Sequence, residues 1–162
     1  MSKRQIVILI AGALIVAAVW VAAALVMNNR KSPGGFTPPP FEEAAEEGMP
    51  ELDDSRFQVF DFAGVFSAGL LPDPELKDGK ADIYLSSPST NTVWMKCKLL
   101  DEDGKLLGET GVIRPGTYVK SVIITRQPGQ DVPITYRVIS YEPETYYSEG
   151  SVNIATTLHV AE

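Results

Sequence analysis

Thr92-Val93-Trp94-Met95-Lys96-Cys97-Lys98-Leu99-Leu100 is the stretch that decides the fold. Val93, Met95, Cys97 and Leu99 fall at every second position, with Trp94, Lys96 and Lys98 between them. In an extended chain successive side chains point to opposite faces, so one face is apolar and the other carries the lysines and the tryptophan. A helix would scatter the same four apolar residues over two opposite sides, which argues for a half-buried strand. The same period recurs further along. Val132, Ile134, Tyr136 and Val138 form one apolar row, and Val152, Ile154, Thr156, Leu158 and Val160 form another. These three rows are the predicted core. Strands are expected over residues 57–62, 81–86, 92–100, 105–112, 117–125, 132–141 and 151–160.

The intervening segments carry turn chemistry. Asp103-Gly104 before Lys105 supplies a positive φ cheaply and predicts a hairpin. Arg114-Pro115-Gly116 and Gln127-Pro128-Gly129-Gln130 read as further bends. About seven short strands at regular spacing predict an all-β sandwich or barrel over residues 55–162.

Ahead of this domain the composition changes twice. Residues 6–27, from Ile6 to Met27, are uncharged and apolar and include twelve Ile, Leu and Val. At 1.5 Å rise per residue a helix of this length reaches roughly 33 Å, enough to cross a hydrocarbon core of about 30 Å. One N-terminal transmembrane helix is therefore expected, after a cytoplasmic tail over residues 1–5. The run exceeds the usual length of a cleaved signal core, although Ala22, Ala23 and Ala24 offer small residues of the kind a signal peptidase accepts. Lys3 and Arg4 face Arg30 and Lys31 across the span, so the charge bias on orientation is slight. A cell-membrane, single-pass placement with the N-terminus cytoplasmic and the C-terminal domain extracytoplasmic is the expectation, because a long following domain translocates largely regardless of charge. Residues 28–54 read as a Pro/Glu-rich linker. Pro33-Gly34-Gly35 breaks a helix, Pro38-Pro39-Pro40 favours an extended segment, and four glutamates follow Phe41. The alternative for this stretch is docking of Phe41 and the glutamates onto a partner.

Charge is divided unevenly. The first 31 residues hold four basic residues and no acidic ones; the remaining 131 hold ten basic and 21 acidic, a net of −11. A nucleic-acid partner needs a positive footprint, so none is expected. The single cysteine, Cys97, excludes an intramolecular disulfide and any multi-cysteine metal site. On the core face it behaves as a small hydrophobe. Asp101-Glu102-Asp103 imitates the start of a calcium loop, but the twelfth position, Val112, has no ligating atom. His159 is the only histidine and falls on the outer face of the last strand, without a second histidine for a metal pair. No cofactor and no catalytic residue are expected. No phosphate-binding loop, zinc-protease helix or serine-hydrolase elbow occurs.

Four aromatic residues are the candidate partner-binding set. Trp94 stands on the polar face of its strand, either exposed or covered by residues 57–66 or a loop. Tyr141, Tyr146 and Tyr147 belong to the connection between the last two strands. Loops at the end of a sandwich are common binding positions, and aromatic side chains anchor partners well.

Residues 87–160 resemble a group of small, largely uncharacterised Gram-positive (Firmicutes) membrane-anchored proteins. The shared order is a Ser-Pro turn (Ser87-Pro88), an alternating strand, the Asp103-Gly104 hairpin, and a short strand with Leu107, Glu109 and Thr110. A Gly-x-Ile-x-Pro-Gly turn follows, here Gly111 to Gly116 with Ile113 and Pro115, and then a final strand from Val152 to Val160. The resemblance implies a single immunoglobulin-like β-sandwich behind a membrane anchor, and implies no particular activity. Three functions compete. The leading one is a non-enzymatic interaction module of the cell envelope that binds another envelope protein. The second is a structural accessory subunit assembled through its helix. The third is an envelope enzyme or a carbohydrate-binding envelope domain.

Overall fold

The computed structural model describes residues 37–52, 56–63 and 65–161. The predicted membrane span and cytoplasmic tail lie outside these residues. The chain divides into two compact units, residues 1–38 and 39–162. The second is all-β among its described residues.

Ten strands are described: β1 (Glu46–Glu47), β2 (Gln58–Phe62), β3 (Phe66–Leu70), β4 (Glu75–Lys77), β5 (Lys80–Ser87), β6 (Trp94–Asp101), β7 (Leu106–Glu109), β8 (Thr117–Ile123), β9 (Val132–Tyr141) and β10 (Ser148–Val160). They run in the order β1-β8-β5-β4-β10-β9-β6-β7, with β3 joining both β2 and β5. Every strand pairing is antiparallel except β4 with β10, which is parallel and covers only His159 and Val160. The result is a curled, mixed sheet.

The alternation read from the sequence governs what is buried. Val93, Met95, Cys97 and Leu99 are all buried, as are Ile134, Tyr136, Val138 and Leu158. They share one cluster with Ile83 and Leu85 of β5 and Val119 and Val122 of β8. The third predicted row is only half filled: Val152, Ile154 and Val160 pack against the core from partly exposed positions. Thr156 turns its hydroxyl to the Pro72 carbonyl and to Asp73 Oδ1. Several buried polar groups are met in place, as burial favours, while the buried Ser86 hydroxyl has no hydrogen-bond partner among the described residues. The Tyr136 hydroxyl donates to the Leu71 carbonyl at 3.1 Å, and the Cys97 amide donates to Thr110 Oγ1 at 3.0 Å.

The turns follow the expected chemistry. Gly104 takes φ 77° in the β6–β7 hairpin and Gly116 takes φ 76° before β8. Three strands were not foreseen. β1 and β4 have two and three residues, too short to show a period. β3 contains Gly69, whose missing side chain admits Ser86 and Phe57: a Cβ there would sit 2.3 Å from Ser86 Oγ.

The main departure concerns the predicted linker over residues 28–54, of which residues 37–52 are among those described. Residues 40–48 lie along the edge of β8 and the turn before it. Val112 N–H donates to the Pro40 carbonyl at 2.8 Å, Glu42 N–H to the Val112 carbonyl at 2.9 Å, and Gly48 N–H to the Gly116 carbonyl at 2.7 Å. Between them β1 pairs antiparallel with Tyr118 and Thr117. Gly111 permits this approach, because a Cβ would lie 2.5 Å from the Glu42 nitrogen. Its own N–H donates to Glu42 Oε2 at 2.6 Å. The segment is a clasp, made mainly by backbone groups.

Candidate functional site

The clasp brings Phe41 to the predicted binding aromatics. Its ring meets Trp94 edge-on at 4.8 Å and Tyr146 at 6.3 Å, and Trp94 meets Tyr146 at 4.9 Å. The Arg114 guanidinium stacks 3.7 Å from the Phe41 centroid and 5.7 Å from that of Trp94. Edge-to-face geometry sets ring edges against the negative faces of their neighbours, and the cation uses the same faces. All three rings are half-buried. The cluster therefore closes on itself. Trp94 is covered by Phe41 and Tyr146, not by residues 57–66.

The β9–β10 connection is shaped to deliver Tyr146. Glu142 accepts the Thr145 N–H at 3.1 Å and also the Thr145 hydroxyl. Tyr146 N–H donates to the Glu142 carbonyl at 2.8 Å, and Glu142 N–H to the Tyr147 carbonyl at 2.9 Å. Tyr146 has φ 59°, a left-handed conformation uncommon for a residue with a side chain. That turn sends consecutive tyrosines apart, with Tyr146 onto Trp94 and Tyr147 out to 68% exposure. Tyr141 ends β9 opposite Trp94 in the register. Burial first, and then the charge of Glu109, hold its phenol pKa above the ordinary value. Of the four predicted residues, Trp94, Tyr141 and Tyr146 belong to one packed face, and Tyr147 alone is presented outward.

The polar face of β6 holds an ion pair. Lys96 is buried and its Nζ lies 2.8 Å from Glu109 Oε1, with Lys98 3.7 Å from the other oxygen. His159 is exposed, with Nδ1 2.7 Å from Asp131 Oδ2. The Val160 N–H, followed by His159, lowers the Asp131 pKa. Cys97 is fully buried, and burial pushes its thiol pKa far up, so it is a weak nucleophile. Among the described residues no group of three or more His, Cys, Asp or Glu is arranged to hold a metal ion.

A second feature was not anticipated. A groove of about 510 Å³ opens between the β2–β3 hairpin and the start of β10. Phe62, Ala63, Val65 and Phe66 form one wall; Ser140, Gly150, Ser151 and Val152 form the other; Asp61 and Glu149 also line it. Phe60 stacks on Phe62 with centroids 6.2 Å apart, and Phe62 meets Phe66 at a tilt with centroids 5.0 Å apart. Val65 is 54% exposed at the lip. The clustering of Phe57, Phe60, Phe62 and Phe66 in the sequence was the available signal. Of these, Phe62 and Phe66 line the wall, and the rings that meet Trp94 are Phe41 and Tyr146.

No protein-family model matches the chain, and no curated protein or solved structure matches it either.

Proposed function

We propose that the chain is a non-enzymatic interaction module of the bacterial cell envelope, anchored by residues 6–27 with its β domain outside the membrane. The observation that carries this reading is the groove beside β10. It is an open, largely apolar cleft of a size suited to a few side chains, set at the end of the domain next to the exposed Tyr147 loop. The aromatic cluster supports the reading indirectly. It occupies Trp94 and Tyr146 with the chain's own Phe41 and Arg114, which shifts the binding role from those rings to the groove.

The finer fold assignment, an immunoglobulin-like sandwich, also belongs to this proposal. The chain crosses from β5 to β6 and from β7 back to β8, while β5 pairs with β8 and β6 with β9. That alternation, the β4 strand shared between β5 and β10, and one core fed by both groups fit such a sandwich. The resemblance to membrane-anchored Gram-positive proteins is consistent with it. The apolar run at residues 6–27 supports the membrane placement.

Site-specific photocrosslinking in intact cells tests the function. The full chain carries the crosslinker at Val65, at Tyr147, or at Ile123, which is 67% exposed on β8. One envelope protein captured from Val65 and Tyr147 but not from Ile123 is the expected result. Identical adducts at all three positions, or a C-terminus labelled only from the cytosol, would overturn the reading.

A further inference from the structure

The groove lies against an unfinished edge of the sheet. β10 pairs with β9 along almost its whole length, yet on its other side only His159 and Val160 meet β4. In that contact His159 N–H donates to the Pro74 carbonyl at 2.9 Å and Ala161 N–H to the Leu76 carbonyl at 3.0 Å. Odd-numbered residues of β10 therefore turn their backbone groups away from β9, since alternate residues of an antiparallel pair face opposite sides. Ser151, Asn153 and Ala155 carry the same outward orientation. Among the described residues no strand pairs with them on that side. β3, which would continue the line of β4 past them, bonds to β2 and β5 instead.

We propose that residues 151–155 of β10 accept an added strand from a partner protein, an extended segment with apolar side chains at alternate positions and a lysine or arginine beside them. This rests on the interaction-module reading and names its binding mode. The three parts of the recognition are separate. The outward N–H and C=O groups of Ser151, Asn153 and Ala155 bind main chain, as in other strand additions. The side chains of the added strand that face inward enter the groove against Phe62, Val65, Phe66 and Val152. Glu149 is exposed at the lip of the cleft, so the local charge favours a cationic segment. An acidic or polyproline segment satisfies one of these conditions at most.

The full-length chain in detergent is titrated by fluorescence anisotropy with a labelled nine-residue peptide in which valine alternates with threonine between terminal lysines. Two further peptides have the same sequence, each N-methylated on alternate amides in one of the two possible phases. Expected results are saturable binding of the parent peptide and at least tenfold weaker binding of one methylated phase. Ala155→Pro is the edge variant, because Ala155 is exposed and its N–H points away from β9. It is expected to weaken binding at least tenfold with an unchanged circular dichroism spectrum. Glu149→Lys, on the surface, keeps the claim testable if the proline variant misfolds, and is expected to weaken binding about threefold at low salt. Equal affinity for both methylated phases and the parent, or unchanged binding by a folded Ala155→Pro chain, overturns the proposal. If crosslinking from Val65 still captures one envelope protein while the edge variant binds normally, only strand addition fails. If no envelope protein is captured, the broader reading fails with it.

Discussion

Removing the ring of Phe41 should release the clasp while leaving the sheet intact. Phe41 contributes three contacts that its neighbours along residues 40–48 do not. It is half-buried, which corresponds to about 1–1.5 kcal/mol of apolar transfer for a phenylalanine. Its edge-on contacts with Trp94 and Tyr146 add about 1 kcal/mol, and Arg114 at 3.7 Å adds about 0.5–1 kcal/mol at a partly exposed site. Phe41→Ala should thus weaken local docking by about 3 kcal/mol, close to two orders of magnitude in the opening equilibrium. The buried core takes no part in these contacts, so the global melting temperature should move little. Amide hydrogen exchange reads the difference directly. Val112 N–H and Gly48 N–H are held by clasp pairings, to the Pro40 carbonyl and from the clasp to the Gly116 carbonyl, and should exchange about a hundredfold faster in the variant. Cys97 and Val138 amides, inside the sheet, should be unaffected. Unchanged protection at Val112 and Gly48 would refute the reasoning, because the backbone bonds alone would then hold the clasp.

Three further outcomes are expected. Leu158 is fully buried, so Leu158→Asp leaves an unpaired charge in the core and should cost at least about 4 kcal/mol; an unchanged thermal melt would mean that the β10 face is misassigned. The Cys97 thiol should resist alkylation in the folded chain at mildly alkaline pH and react once Leu158→Asp or denaturant opens the core; stoichiometric labelling of the native chain would contradict its burial. The Tyr118 hydroxyl donates to Glu46 Oε2 at 2.6 Å, and this bond, with lesser help from desolvation and the Glu46 charge, raises the phenol above its ordinary pKa of 10.0. Its contribution to β1 docking is then complete below about pH 10 and is lost as pH rises through the folded value. Glu46→Gln should return the Tyr118 titration toward normal by phenolate absorbance, and identical titrations in both chains would count against the contact.

The alternating rows Val93 to Leu99 and Ile134 to Val138 were legible because strand burial has a period of two, a property of the local chain. The turns at Gly104 and Gly116 were legible for a related reason, since they need a backbone conformation that glycine adopts without penalty. Other expectations failed where the deciding contacts span the chain. Lys96 occupies the polar face of β6 as predicted, yet it is buried, with its ammonium paired to Glu109 of β7. Trp94 and Tyr146 stand 52 positions apart with nothing in the sequence to join them, and the ring that packs against both, Phe41, lies in a stretch whose prolines and glutamates suggest a spacer.

Composition and periodicity by themselves determined that the chain carries an apolar run of 22 residues followed by an acidic, strand-forming remainder, and which side of each long strand would be apolar. Tertiary structure alone decided that residues 40–48 dock, that the tyrosines part company at Tyr146, and that among the described residues no strand pairs with the outer side of residues 151–155 of β10 beside a groove. The division has a physical cause. Side-chain alternation is written residue by residue, whereas backbone hydrogen bonds between distant segments use groups common to nearly every residue and leave almost no mark on the sequence.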